Sequence, residues 1–279
     1  MKHLVLAGLA AGLSMAAMAQ TDSTGKTGER VDTIKIGGIV IVKKGNRNDS
    51  NHHNRDVNVT INKRKHHRPS NVSTNWLIAD LGFANYNDRT NYGTAAVQQM
   101  VPGATDKDAL ELRTGKSVNV NLWFFMQRLN LVRHAVNLKY GLGLELNNYR
   151  YDRDLQFQKN PTVILPATEP LKKGKLAADY VTLPMMLNLN FTPKRDKGFG
   201  ISAGVSAGYL YSARFKTKDG NDDKAKVRDN FDLEKWKLSY IGELNLGVVT
   251  LYGSYAFKNM WEKALDQTPY AFGIRFSHW

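Results

Sequence analysis

From Ala135 to Tyr151 the chain reads AVNLKYGLGLELNNYRY, and its side chains alternate in character from one residue to the next. Val136, Leu138, Tyr140, Leu142, Leu144 and Leu146 share one parity; Asn137, Lys139, Gly141, Gly143, Glu145 and Asn147 share the other. A period of two defines a β-strand with one apolar and one polar face. A half-buried strand sustains that pattern over about 4–8 residues, and this one runs further. Its polar face sets a lysine and a glutamate among glycines, which suits a crowded polar interior better than a solvent face.

The same alternation returns down the chain. Trp76–Tyr86 sets Leu77, Ala79, Leu81 and Phe83 against Asp80 and Gly82. Lys116–Asn130 sets Val118, Val120, Leu122, Phe124 and Met126 against Asn119, Asn121 and Gln127. Asp179–Phe191 and Phe199–Phe215 follow, then Trp236–Asn245, Val249–Phe257 and Tyr270–Trp279. Eight strands are therefore expected. The connections alternate as well. Asn87–Gly115, Asp152–Ala177, Lys216–Lys235 and Lys258–Pro269 are long; Leu131–Arg133, Thr192–Lys197 and Leu246-Gly247 are short. A soluble sandwich has no reason to sort its loops by length. A transmembrane β-barrel does, with long loops outside and short turns in the periplasm.

The N-terminus fits that location. MKHLVLAGLAAGLSMAAMAQ has Lys2, an apolar run from Leu4 to Ala17 and an A-x-A site at Ala17–Ala19. This is the form of a secretory signal peptide, residues 1–19, and its apolar run is short of the ~20 residues a spanning helix needs. Residues 20–72 read as a periplasmic arm. Within it, TIKIGGIVIV (33–42) forms a candidate hairpin around Gly37-Gly38, and 43–71 is a basic, histidine-containing stretch with almost no large apolar side chains. Such a stretch buries too little surface to offset ordering entropy, so it is expected to stay unstructured. The barrel is expected over 73–279.

No cysteine is present, which excludes a lipoprotein anchor, disulfides and thiol chemistry. A mean hydropathy of -0.43 excludes a helical membrane protein after the leader and leaves a barrel open, because alternation dilutes its signal. The net charge of +14 and pI near 9.7 would suit nucleic acid. Export argues against that partner. Outer-membrane lipid and lipopolysaccharide fit an exported basic protein, with solvated loop charge as the competing account.

Parity points Asp80, Lys139, Glu145, Arg214, Lys237, Glu243 and Arg275 inward. An eight-stranded barrel is just wide enough for side chains to fill it, so these charges read as an internal plug rather than a channel lining. For catalysis, a general base must reach its nucleophile. His52, His53, His66 and His67 lie in the arm, and His134 and His278 map to the periplasmic end. No catalytic residue, metal site or cofactor site is assigned. Adjacent His pairs point apart in an extended chain. Asp219–Asp223 lacks the sixth-position glycine and twelfth-position glutamate of a calcium loop, having Lys224 and Asn230 there. Gly198-Phe199-Gly200 with Ala203 sits in a strand with no following helix, so it is no dinucleotide fingerprint.

Three stretches carry a family likeness: NWLIADLGFANY (Asn75–Tyr86), YVTLPMMLNLNF (Tyr180–Phe191) and GISAGVSAGYLYSARFK (Gly200–Lys216). In these the chain resembles the PorT-like outer-membrane β-barrel proteins of Gram-negative bacteria. The resemblance implies an eight-stranded barrel in the outer membrane. One branch of that family is tied to a secretion system that delivers proteins to the cell surface. Such barrels commonly end on an aromatic in phase with the lipid face; here His278 takes that slot and Trp279 is one residue out of phase, which a terminal bulge would reconcile.

The expectation is an all-β chain: an eight-stranded antiparallel transmembrane β-barrel with an N-terminal periplasmic extension and both termini periplasmic. It is expected to be monomeric and non-enzymatic, acting in envelope structure or surface interaction through its outer loops. The alternatives are an accessory of protein export whose arm meets a periplasmic protein, and a lipid-modifying barrel enzyme.

Overall fold

The computed structural model describes residues 31–36, 39–44, 57–61, 70–193 and 198–276. The expected leader (1–19), His52, His53, His66, His67, His278 and Trp279 lie outside the described residues. The chain divides into two units, with the boundary between Pro69 and Ser70.

In the first unit, strands β1 (Val31–Ile36) and β2 (Ile39–Lys44) pair antiparallel, with Ile36 opposite Ile39. A third strand, β3 (Val57–Ile61), pairs with β2. Within the stretch 43–71, expected to stay unstructured, residues 43–44 and 57–61 are therefore strand, while residues 45–56 and 62–69 lie outside the described residues. Val57, Val59 and Ile61 alternate with Asn58 and Thr60, and a five-residue strand needs no more than that.

In the second unit eight strands close a ring. In order around it they are β4 (Val72–Asp88), β5 (Val118–Val132), β6 (Val136–Arg150), β9 (Leu171–Asn190), β10 (Phe199–Asp219), β12 (Trp236–Leu246), β13 (Thr250–Ala256) and β14 (Gln267–Phe276). Every neighbouring pair is antiparallel, and β14 returns to β4 to complete the circuit. Closure leaves no unpaired edge, the condition for strands to sit in lipid. Three smaller strands belong to the long connections: β7 (Leu155–Gln158) and β8 (Val163–Pro166) form a hairpin, and β11 (Lys224–Arg228) pairs with β10.

The ring is apolar outside and polar inside. On β9, Val181, Leu183, Met185, Leu187 and Leu189 are exposed, while Thr182, Met186 and Asn188 are buried. From Val181 to exposed Phe191, about ten steps of ~3.3 Å at a ~40° tilt give a height near 25 Å, that of a barrel's lipid-facing band. Tyr209 and Trp236 stand directly opposite at the long-loop end of this band, edge to face with centroids 5.0 Å apart.

Register slips between neighbouring strands mark β-bulges, and two of them move residues assigned above to the other face. The register between β5 and β6 slips at Phe124, so Met126 turns into the lumen, where it is fully buried, and Gln127 turns out. Both residues therefore lie on the faces opposite to those expected. The second slip, at Tyr211 in β10, has the same effect on Arg214. Expected in the lumen, Arg214 instead lies on the outward face and pairs with Asp179. An extra residue in one strand exchanges the faces of everything beyond it.

Candidate functional site

Six buried charged side chains fill the lumen, Asp80, Lys139, Glu145, Lys237, Glu243 and Arg275, and half-buried Arg128, opposite Lys139, faces the same way. Three cations meet three carboxylates. Arg275 Nε donates to Asp80 Oδ1 at 2.7 Å and Nη2 to Asp80 Oδ2 at 2.8 Å. Its Nη1 donates to Glu243, which also accepts from Lys139. Lys237 donates to Glu145. A buried ion is tolerated only when paired and hydrogen-bonded, and the same carboxylates accept further hydrogen bonds. Asp80 Oδ2 accepts from Trp123 Nε1 at 2.8 Å and from Asn121 at 3.2 Å. Ser202 donates to Glu243 at 3.3 Å, and Asn147 to Glu145 at 3.0 Å. Tyr252 joins through Asn119 at 2.6 Å.

Trp123 and Tyr252 join this network in addition to the residues that alternation assigns to it. Their parity, shared with Asn119 and Asn121 for Trp123, was the available signal. Trp123 is accommodated because its partner across β6 is Gly143: a Cβ there would lie 2.6 Å from the indole.

Above the plug, the long connections fold over the mouth. Inward-facing Tyr86, Tyr149, Tyr151, Leu176 and Phe215 form one hydrophobic core with loop residues. The β7–β8 hairpin delivers Phe157, which stacks on Phe215 at 4.2 Å and meets Phe231 edge-on at 5.5 Å. The short helix Ala95–Met100 adds Val97 and Met100, and the last connection adds Trp261 and Leu265. Asp88 holds the first and last connections to the rim. It accepts from Tyr92 Oη and Gln267 Nε2, each at 2.8 Å, and Gln267 accepts from Trp261 Nε1 at 2.8 Å. Burial and the Asp88 bond push the Tyr92 hydroxyl well above the ordinary phenol range, so it remains a donor across physiological pH.

The structure brings six of the seven sequence-assigned lumenal charges together and excludes Arg214. His134 sits in the β5–β6 turn, in left-handed backbone (φ 59°), with its N–H on Asn130 Oδ1 at 2.6 Å. Asp219 Oδ1 accepts the N–H groups of Asn221 and Asp223 at 2.9 and 2.8 Å, a turn held by its own backbone. Among the described residues, no three His, Cys, Asp or Glu side chains gather to hold a metal.

A closed antiparallel ring with an apolar exterior and a charged, paired interior defines a membrane-embedded β-barrel. Residues 81–260 match the outer membrane protein beta-barrel domain, and the chain belongs to that family. Its location is the outer membrane. No curated protein matches the chain.

Proposed function

We propose that this protein is a closed, non-enzymatic barrel that anchors a folded surface platform in the outer membrane. The carrying observation is that the lumen is blocked twice. A network of paired charges fills the barrel, and an aromatic core seals its long-loop mouth. In this reading the long-loop end faces outward and the short turns and termini face the periplasm, as loop lengths favour. The PorT-like likeness fits the same picture, since its three stretches form the cores of β4, β9 and β10.

Reconstitution in planar lipid bilayers tests the closed state. Conductance no greater than that of the bare bilayer is expected, and stable open channels would overturn it. The catalytic alternative is addressed by lipid A mass profiles from cells with and without the protein. Identical profiles are expected.

A second reading is favoured by the three-stranded sheet of Val31–Ile61, a folded element separate from the barrel. It would offer an export machinery a periplasmic docking element. Deleting residues 31–61 should then abolish secretion to the surface while the barrel persists; unchanged secretion removes this reading.

A further inference from the structure

Beyond the Tyr211 bulge, β9, β10 and β11 continue as a sheet past the apolar band. Cations stand opposite one another across this sheet. Arg150, Lys175, Lys216 and Lys226 form one row over four strands. Lys173, Lys218 and Lys224 form a second, and Arg214 faces Arg228. The opposite face carries Leu176 and Phe215, buried in the cap, so the cations face away from the mouth. Like charges directly opposite destabilise a strand pair, and here the arrangement repeats from row to row.

Two nearby carboxylates are already engaged. Asp179 holds Arg214, and Asp222 accepts from Lys172 at 2.7 Å and Lys218 at 2.9 Å. Among the described residues, Lys173, Lys216, Lys224 and Lys226 have no carboxylate at ion-pair distance. Lys173, Lys175, Lys216, Lys218, Lys224 and Lys226 line one open groove. Burial and the neighbouring Lys173, Lys216 and Arg214 push the Lys175 ammonium down to about 8, the mark of cations held without enough counter-charge.

The position selects the anion. On β10 the lipid-facing row ends at Tyr209 and Tyr211, and Arg214, Lys216 and Lys218 follow on the outward side of the same strand. At ~3.3 Å per residue, and less once tilted, Lys216 lies about 20 Å or less from Tyr209 along the membrane normal. The groove is thus a lateral continuation of the lipid-contacting wall, at the level where phosphorylated sugars of a surrounding glycolipid stand.

We propose that the outward face of β9–β10–β11, centred on Lys175, Lys216 and Lys226, binds the phosphorylated headgroup of an outer-leaflet glycolipid. This rests on the outward orientation of the long-loop end given above.

The test uses the full mature chain, refolded in zwitterionic detergent and titrated with purified lipopolysaccharide. Three ligands separate the sources of anion: native lipopolysaccharide, its dephosphorylated form, and a soluble sulfated polysaccharide. The variant Lys173→Gln/Lys216→Gln/Lys224→Gln/Lys226→Gln removes cations without adding bulk, and retained heat-modifiable mobility shows that it is folded. We expect at least tenfold weaker binding by the folded variant, a comparable loss on dephosphorylation, and weaker binding of the polysaccharide. Unchanged affinity in the variant, or indifference to dephosphorylation, overturns the site. Tighter lysine-dependent binding of the polysaccharide overturns the glycolipid as its occupant. Orientation is read separately from Ala225→Cys, since the chain has no other cysteine. Labelling by an impermeant maleimide on intact cells is expected; labelling only after lysis overturns the outward orientation, whatever the binding result.

Discussion

Arg275 and Asp80 face each other across the β14–β4 seam, and the guanidinium grips both carboxylate oxygens. They lie 195 positions apart, on the last and first strands of the ring. The contact that ties the plug together therefore also clamps the closure of the barrel. Arg275→Ala leaves Asp80 buried without its cation, and breaking such a pair costs about 3–5 kcal/mol. Urea unfolding in lipid vesicles should show that loss. Asp80→Asn combined with Arg275→Gln should recover part of it, because no orphaned carboxylate remains at position 80.

The two faces of β6 should respond differently to substitution. Leu142 points to lipid near the middle of the band, so Leu142→Arg should destabilise the barrel by about 2–4 kcal/mol. At Gly143 the problem is space. A Cβ would approach Leu122 O and the Trp123 ring at 2.6 Å, and overpacking of this kind costs about 1–3 kcal/mol. Gly143→Ala should lower the urea midpoint. Equal stability of Leu142→Arg and wild type would show that Leu142 does not face lipid.

Much of this fold is legible in the sequence because lipid outside and charge inside impose a strict period of two. Leu138 through Leu146 and Lys139 through Glu145 need no structure to be sorted. The period fails at a bulge, where one residue is added without a compositional mark. Phe124 and Tyr211 look like ordinary members of their strands, and so strict alternation assigns Met126 and Arg214 to the wrong faces. The cap was hidden for another reason. Phe157, Phe231 and Trp261 are scattered through polar connections, and only the closed ring gathers them into one cluster with Phe215 and Tyr151. The lysines of β9, β10 and β11 likewise read as loop charge until pairing aligned them.

Phe157 should matter to the cap and little to the barrel. Phe157→Ala removes a ring packed against Phe215, Phe231 and Tyr151, and large-to-small changes of this type cost about 3–5 kcal/mol. The expected result is faster protease cleavage within residues 152–170 and 220–235 with unchanged heat-modifiable mobility. Loss of that mobility would mean that barrel and cap fold as one unit.

The cationic groove should have a characteristic pH response. Around Lys175 stand Lys173, Lys216, Arg214 and Arg150, with Asp179 as the opposing charge. Its folded-state value, about 8 against an ordinary 10.5, means that the unfolded chain holds this proton more tightly. Above pH 8 the unfolded state carries more protons, so stability should rise between about pH 8 and 10.5. Lys175→Gln should flatten that rise in urea titrations. A bound polyanion would restore the proton, so binding near pH 8 should be accompanied by proton uptake, measurable as a buffer-dependent heat in calorimetry.

The bulge at Tyr211 gives the molecule a waterline. Below it, β10 presents Ile201, Val205 and Tyr209 to its surroundings; above it, the outward row becomes Arg214, Lys216 and Lys218. The apolar rows resist lifting out of the bilayer, and the lysine rows resist sinking into it. From Tyr211 to Asp219 the strand then runs about 26 Å along its own axis at ~3.3 Å per residue. The cap is consequently carried on a rigid stem at a draught set by the chain itself. A thicker or thinner membrane would have to deform around the barrel rather than change how far its folded crown stands clear of the surface.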